Sequence, residues 1–223
     1  MANVNIAPAS SALLRTPKAA AIAGIVFAVL LIAIFALFRS AVPASPGEPG
    51  EWLVQDWRTA AFGLNLIPFA GIAFLWFIGV LRDRLGAKED RFFATVFLGS
   101  ALIFLAMLFV AGALVGGIIL TASLPGSDGL AGSQTFHVAR ATAYVLINVY
   151  AAKIAIVFMV STSTVLIYTK IAPRWIAILG FILAVVLLTS SYFTTWAIMV
   201  LPVWVFLISC LILIDNLKAG SQP

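Results

Sequence analysis

Residues 92–124, which read FFATVFLGSALIFLAMLFVAGALVGGIILTASL, form one apolar run without a charged side chain. A helix needs roughly 20 such residues to cross the hydrocarbon core of a bilayer, which is about 30 Å thick. The run is longer than one perpendicular crossing, so we expect its helix to tilt, kink or project beyond the membrane. Gly112 and Gly116 form a GxxxG pattern in its second half, which allows close approach of another helix. This stretch places the chain among integral membrane proteins.

Five further apolar runs flank this one. The 223-residue chain is 63% hydrophobic and 9% charged, whereas soluble domains are roughly half apolar and about a quarter charged. The first run exceeds the ~7–15 apolar residues of a signal-peptide core, so we expect it to be retained. We predict an all-α, polytopic membrane protein with a six-helix transmembrane domain at 19–214, a flexible cytoplasmic N-terminus at 1–18 and a cytoplasmic tail at 215–223. The six predicted spans are about 19–38, 60–81, 92–121, 141–168, 175–189 and 196–214.

Positive charges are distributed unequally between the loops. Nine Lys and Arg residues lie in the N-terminal segment, the 82–91 and 170–174 loops and the tail, against three in the alternate loops, Arg39, Arg58 and Arg140. Because positive residues accumulate on the cytoplasmic side, both termini are predicted to be cytoplasmic. The protein is therefore expected to be an N-in/C-in bundle in the inner (plasma) membrane.

The residues that the chain lacks narrow the classes of function. One histidine cannot form a bis-histidine haem site or a histidine zinc site, and Cys210 is the only cysteine. The hydroxyl run 161–164 has no neighbouring general base that could activate a nucleophile. We therefore expect no catalytic residue, no metal and no cofactor, and an intramembrane enzyme is the third-ranked hypothesis. The net charge of +5 is attributed to topology rather than to nucleic-acid binding.

Lys153 is the most unusual polar residue, because it lies near the middle of the fourth predicted span. A lysine at the bilayer centre is costly unless it faces a cavity or a partner, although its long side chain can also snorkel toward the interface. Both interpretations remain open at this point. The candidate ligand-binding residues, which include a polar face of the same span, are Lys153, Asn148, Tyr144, Arg140, Tyr150 and Asn65.

The leading function is non-enzymatic and rests on an outward-facing polar pocket between the second, fourth and sixth spans. Pro68 and Pro202 each free a carbonyl one turn earlier, in the predicted outer halves of the second and sixth spans. The pocket would bind a lipid headgroup or a small solute, or the chain would be an accessory subunit of a membrane complex. The first and fifth spans are almost purely apolar and are expected to form a lipid-facing wall. The expected partners are membrane lipids and either another membrane protein or a second copy of the chain.

The loop after the second span supports an alternative. Residues 79–88, GVLRDRLGAK, resemble the G-x-L-x-D-R-x-G-x-K/R loop signature of major facilitator transporters. The resemblance implies that Asp83 forms part of a cytoplasmic gate and that Arg84 matches a basic position of the signature. It covers about ten residues of a chain with six predicted spans rather than the family's usual twelve, and the family's R-x-x-Q-G pattern is missing from the fourth span. Gly and Arg also end membrane helices well, so the alternative is a small transporter, as a dimer if it supplies twelve helices.

Overall fold

A computed structural model describes residues 17–85, 91–127, 129–169, 173–190 and 197–219, and every regular element within these ranges is a helix. A π-helical segment, Leu146–Ala151, joins two of the helices without a break, and short 3-10 turns lie at Leu130–Gly132 and Ala197–Met199. The helices are, in chain order, α1 (Pro17–Ala41), α2 (Trp52–Gln55), α3 (Trp57–Leu85), α4 (Arg91–Ala122), α5 (Gln134–Val145), α6 (Ala152–Thr169), α7 (Arg174–Ser190) and α8 (Val200–Ala219).

Five of these elements are long and apolar enough to cross a membrane. They are α1, α3, α4, the α5–π–α6 stack and the 3-10 turn with α8, so the prediction of an all-helical membrane protein is confirmed. α7 corresponds to the fifth predicted span and is apolar, but it has only 17 residues. The predicted ends at 1–16 and 220–223, like the tip of the charged hairpin at 86–90, lie outside the described residues.

α1 packs along both α3 and α8 with one face, while Ile22, Val26 and Val29 on another face are exposed. Gly24 permits the approach, because a Cβ atom there would collide with the hydroxyl of Ser209 on α8 and would lie 2.7 Å from Cδ2 of Phe77 on α3. One face of the first span is therefore exposed, as expected for a lipid-facing wall, whereas the opposite face packs against α3 and α8. Lipid tails are as apolar as leucine, so hydrophobicity alone does not separate a lipid-facing helix from a central one.

Six phenylalanine side chains form the tightest part of the interior, which we call the aromatic core. The ring of Phe74 stacks on Phe27 of α1 at 4.3 Å and meets the edge of Phe158 of α6 at 5.3 Å between centroids. Aromatic pairs at such distances stabilise beyond the area they bury. The core thereby joins α1, α3, α4 and α6. Its members, all at most 1% exposed, are Phe27, Phe74, Phe77, Phe97, Phe104 and Phe158.

α7 packs against α6 at another glycine. A Cβ atom on Gly180 would collide with the hydroxyl of Ser163 and would lie 2.6 Å from Cζ2 of Trp204 on α8. The indole nitrogen of Trp204 donates to the carbonyl of Ile176 at 3.4 Å, which joins α8 to α7. α7 therefore packs against the other helices as part of the bundle.

α4 is a single helix of 32 residues, which at 1.5 Å per residue is about 48 Å long. It therefore exceeds one perpendicular crossing of the hydrocarbon core, as the sequence indicates. A Cβ atom on Gly112 would lie 2.8 Å from Cδ1 of Ile67, and one on Gly116 would lie 3.6 Å from Cδ1 of Leu64. The GxxxG pattern thus faces α3 within the same chain.

Candidate functional site

Arg140 organises the loop between α1 and α2. Its side chain is 6% exposed, and its guanidinium donates to three backbone carbonyls of the loop. Nη1 bonds the carbonyl of Glu48 at 2.9 Å, and Nη2 bonds those of Pro43 and Ser45, each at 2.9 Å. Carbonyl groups of an irregular segment need such donors, because they have no helical partner. One side chain on α5 therefore holds most of this loop in place.

The base of this arrangement is the first turn of α5. Ser133 caps the helix by accepting a hydrogen bond from the amide of Phe136 at 3.2 Å. The buried ring of Phe136 lies 5.8 Å below the Arg140 guanidinium carbon, as in a cation–π pair. Gly50 lies close to the same ring, because a Cβ atom there would be 2.9 Å from Cζ of Phe136. The loop, the cap and the arginine form one packed unit.

A cavity of about 200 Å³ lies under this loop. Its walls come from the end of α1, the loop, α2, α3, α4, α5, the π segment and the 3-10 turn before α8. Most of the lining is apolar, with side chains such as Phe35, Leu108 and Val115. The polar side chains that line it are Arg39, Trp52, Arg140, Tyr144 and Asn148.

The π segment forms part of the cavity wall through Ile147 and Asn148. The side-chain amide of Asn148 donates to the carbonyl of Tyr144 at 3.0 Å, at the point where the α-helix gives way to the π-helix. Single π turns inside α-helices are rare and occur frequently at functional sites. The sequence predicts one uninterrupted span here and does not predict the π segment, because no local residue pattern indicates it.

The electrostatics of the cavity are cationic. No Asp or Glu side chain is among the residues that line it, whereas two arginines are. In the part of the chain that the structure describes, Arg140 donates hydrogen bonds to backbone carbonyls. The carboxylate of Glu48 in the loop also acts on its charge but does not line the cavity, so the charged groups in the cavity wall itself are basic.

The structure brings together three of the six predicted ligand-binding residues. Arg140, Tyr144 and Asn148 line the cavity. Lys153 and Tyr150 are exposed on the outside of the bundle, and Asn65 is exposed as well, with its amide bonded to the carbonyl of Ala61 at 2.9 Å. These three are therefore not part of this cavity.

The cavity also differs from the predicted pocket in its walls. It touches the second, fourth and sixth predicted spans through residues such as Ile67, Asn148 and Ile198, but α1, the α1–α2 loop and α4 line it as well. Pro68 is exposed rather than turned toward the cavity. Pro202 lies in the first turn of α8, where a backbone N–H has no intrahelical partner to lose. Of the two residues one turn before these prolines, Ile198 lines the cavity and Leu64 does not.

Sequence reasoning missed Arg39 and Trp52 as cavity residues. Arg39 was counted only as a topological charge, yet it lies on the same side as Arg140 and next to the same proline-rich loop, which was a usable signal. Trp52 is 4% exposed, and its indole nitrogen has no hydrogen-bond partner within the described residues. For the predicted gating residues Asp83 and Arg84, the structure describes only the backbone, at the end of α3.

Comparison of the chain with protein-family models, with curated proteins and with solved structures gives no match. The functional argument therefore rests on the geometry and the charge of the cavity.

Proposed function

We propose that this protein is a non-enzymatic, six-span membrane protein that binds an anionic lipid or lipid-like solute in the cavity beneath the α1–α2 loop. The observation that carries the proposal is an apolar cavity of about 200 Å³ lined by Arg39 and Arg140 but by no acidic side chain. Both termini are cytoplasmic in this proposal, so the cavity faces outward from the plasma membrane.

The chemistry of the lining favours an amphiphile over a polar solute. Side chains such as Phe35, Leu108 and Val115 offer no hydrogen bond, so a fully polar ligand would lose its water without compensation. An acyl or isoprenoid segment fits that wall. Its anionic group would lie beside the arginines, because guanidinium groups form strong bidentate hydrogen bonds with carboxylate and phosphate.

A pair of alanines on α5 provides a matched test of ligand binding. Ala143 is 7% exposed and lines the cavity, whereas Ala141 is exposed on the same helix. Leucine at position 143 would occupy cavity volume, and leucine at position 141 would face the surroundings. Native mass spectrometry of the purified protein should show bound anionic lipid with the native chain and with Ala141→Leu, and at least a tenfold lower occupancy with Ala143→Leu. Equal occupancy in both variants, or no retained anionic lipid with the native chain, would contradict the proposal.

The number of spans has its own test. α7 has 17 residues, or about 25 Å of helix at 1.5 Å per residue, which is close to the hydrocarbon thickness. Single cysteines at Ser45 and Ser221 in a Cys210→Ala background report sidedness with an impermeant maleimide. Six spans place the two positions on opposite sides of the membrane, and five spans place them on the same side. Labelling of the N-terminal segment at Ser10→Cys then assigns the cytoplasmic side.

The π segment favours one alternative, a small transporter. Transporters place interrupted helices at their binding sites, and this interruption borders the cavity at Asn148. An Asn148→Cys variant in the Cys210→Ala background separates the two functions. Reaction with an impermeant thiol reagent from the loop side alone supports a static binding site. Reaction from both sides supports alternating access.

A further inference from the structure

Lys153 lies on the outer surface of the bundle, far from both ends of its span. The α5–π–α6 stack is apolar enough to cross the membrane over 134–168, and the Lys153 side chain is exposed. Arg140 precedes it by thirteen residues and Tyr168 follows it by fifteen, or about 20 Å in either direction at 1.5 Å per residue. The ammonium group therefore starts near the middle of the hydrocarbon layer.

Snorkelling cannot bring the ammonium group of Lys153 to the membrane interface. A lysine side chain extends about 6 Å along the helix, whereas the bilayer centre is about 15 Å from either interface. An unpaired lysine at the helix centre is costly on insertion scales. Within the described residues, no hydrogen bond or ion pair engages Lys153, so another molecule has to supply the compensating group.

This chain has no carboxylate at the depth of Lys153. All eight Asp and Glu residues lie outside the five membrane-crossing ranges and outside α7. A second copy of the same chain therefore cannot neutralise Lys153 within the membrane. The partner has to carry an acidic side chain that this protein lacks.

The residues around Lys153 form a surface that suits a neighbouring helix. Val157 and Val160, 40% and 39% exposed, follow Lys153 at helical spacing, and we call these three residues the Lys153 stripe. Short β-branched side chains have few rotamers to lose on packing. The exposed face of α7 is different, since its residues Ile178 and Ile182 belong to a helix without a charged residue beyond Arg174. Lipid tails alone can therefore cover the exposed face of α7.

We propose that the Lys153 stripe docks a transmembrane helix of a different membrane protein, one that carries an Asp or Glu at mid-membrane depth. Charge complementarity selects this partner, because neither lipid headgroups nor a second copy can bring an anion to that depth. The interaction is independent of the cavity, which Lys153 does not line.

The test uses site-specific photo-crosslinking in native membranes of cells that make the full chain. p-Benzoylphenylalanine is introduced at Val157 in the stripe and, as the matched control, at Ile182 on α7. The expected result is an adduct from position 157 but not from 182, whose crosslinked peptide is an apolar segment of another protein with an internal Asp or Glu. A crosslink to the same chain, to lipid alone, or to a segment without an acidic residue overturns the proposal.

Charge variants then examine the pairing itself. Lys153→Met preserves the length of the side chain and, at an exposed site, should leave the thermal unfolding of the purified protein unchanged. It should lower the adduct yield about tenfold, since interhelical polar contacts in membranes contribute about 1–2 kcal/mol. Lys153→Glu combined with lysine at the partner's acidic position should restore the adduct. Undiminished crosslinking in Lys153→Met, or no rescue by the exchange, overturns the proposal.

Discussion

The aromatic core and the cavity lie along the same helices but toward opposite ends, and the chain packs them by different means. In the core, rings from α1, α3, α4 and α6 fill the space between the backbones, and all are at most 1% exposed. Around the cavity, α1, α3 and α4 together with α5 and the π segment leave about 200 Å³ empty, and the irregular loop above it is bonded by one arginine. The first region consists of close contacts between rings, whereas the second combines a smaller apolar cluster around Trp52 and Phe136 with hydrogen bonds and an unfilled space.

This difference suggests that the two regions have different roles, one in stability and the other in ligand binding. In a bilayer, burial of apolar surface provides no hydrophobic driving force, so helices associate through close packing and hydrogen bonds. A region that leaves part of its interior unfilled therefore contributes less to stability, and it retains a buried charge at a further cost. We interpret the loop end as the part of the molecule shaped for a ligand, and the aromatic core as the part that holds the bundle together.

The largest effect is expected from truncation in the aromatic core. Phe74→Ala removes a ring that contacts Phe27, Phe104 and Phe158, and it should lower the free energy of unfolding by about 3 kcal/mol or more. Phe69→Ala is the control, because Phe69 is on the same helix but 60% exposed. Unfolding in mixed micelles with increasing SDS measures both. Equal losses would contradict the assignment of the core as the stabilising region.

A smaller and local effect is expected at the loop end. Arg140→Leu leaves the carbonyls of Pro43, Ser45 and Glu48 without their donor, which should cost about 2 kcal/mol because these bonds are charge-assisted. The loss should appear as faster hydrogen–deuterium exchange in peptides covering 42–56, with little change in the aromatic core.

Arg58→Leu is the control for this variant, since Arg58 is exposed and lies 5.5 Å from the Trp57 ring. It should leave the exchange of the loop unchanged. Slow exchange in Arg140→Leu would show that the loop is held by other contacts.

The sequence was sufficient to predict the membrane helices, because the length of an apolar run decides whether its helix can cross the bilayer. Uncharged runs such as 92–124 satisfy the length rule for a crossing, and the structure has membrane-length helices at five of the six predicted positions. The arrangement of the helices was not predictable, because lipid and protein interiors are equally apolar. The packing of α1 against α3 and α8 depends on the fit of Gly24 against Ser209 and Phe77, which is a property of shape rather than of hydropathy.

The site was predictable only in part, for a related reason. The spacing of Arg140, Tyr144 and Asn148 on one helix face is a local property, and the structure keeps them together at the cavity. Arg39 lines the same cavity from a distant segment, α1, which spacing along one helix cannot reveal. The π segment also shifts the helical register between residues 146 and 151, so angles extrapolated from 3.6 residues per turn fail beyond it.

A third effect, smaller than the first two, is expected at the π segment. Asn148→Leu removes the amide that donates to the Tyr144 carbonyl at 3.0 Å and should lower the free energy of unfolding by about 1 kcal/mol. Thr142→Val is the control, because its hydroxyl makes the same four-residue bond to Val138 within regular α-helix. We expect a smaller loss there, because the helix itself supplies a donor to that carbonyl. Equal losses would show that the π segment does not depend on the Asn148 amide.

The smallest effect is expected at Trp52. Trp52 at the cavity and Trp204 in the packed interior allow the same substitution to be compared in both regions. Trp204 is buried in the packed interior and donates its indole hydrogen to Ile176, whereas the indole nitrogen of Trp52 at the cavity has no partner in the described part of the chain. Trp52→Phe therefore breaks no hydrogen bond within the protein and relieves an unsatisfied donor, which offsets the weaker packing of the smaller ring. In lipid-free detergent its free energy of unfolding should change by less than about 1 kcal/mol, and Trp204→Phe should lose more. A larger loss at Trp52 than at Trp204 would show that the cavity end is as tightly packed as the core, and would remove the contrast on which the ligand proposal depends.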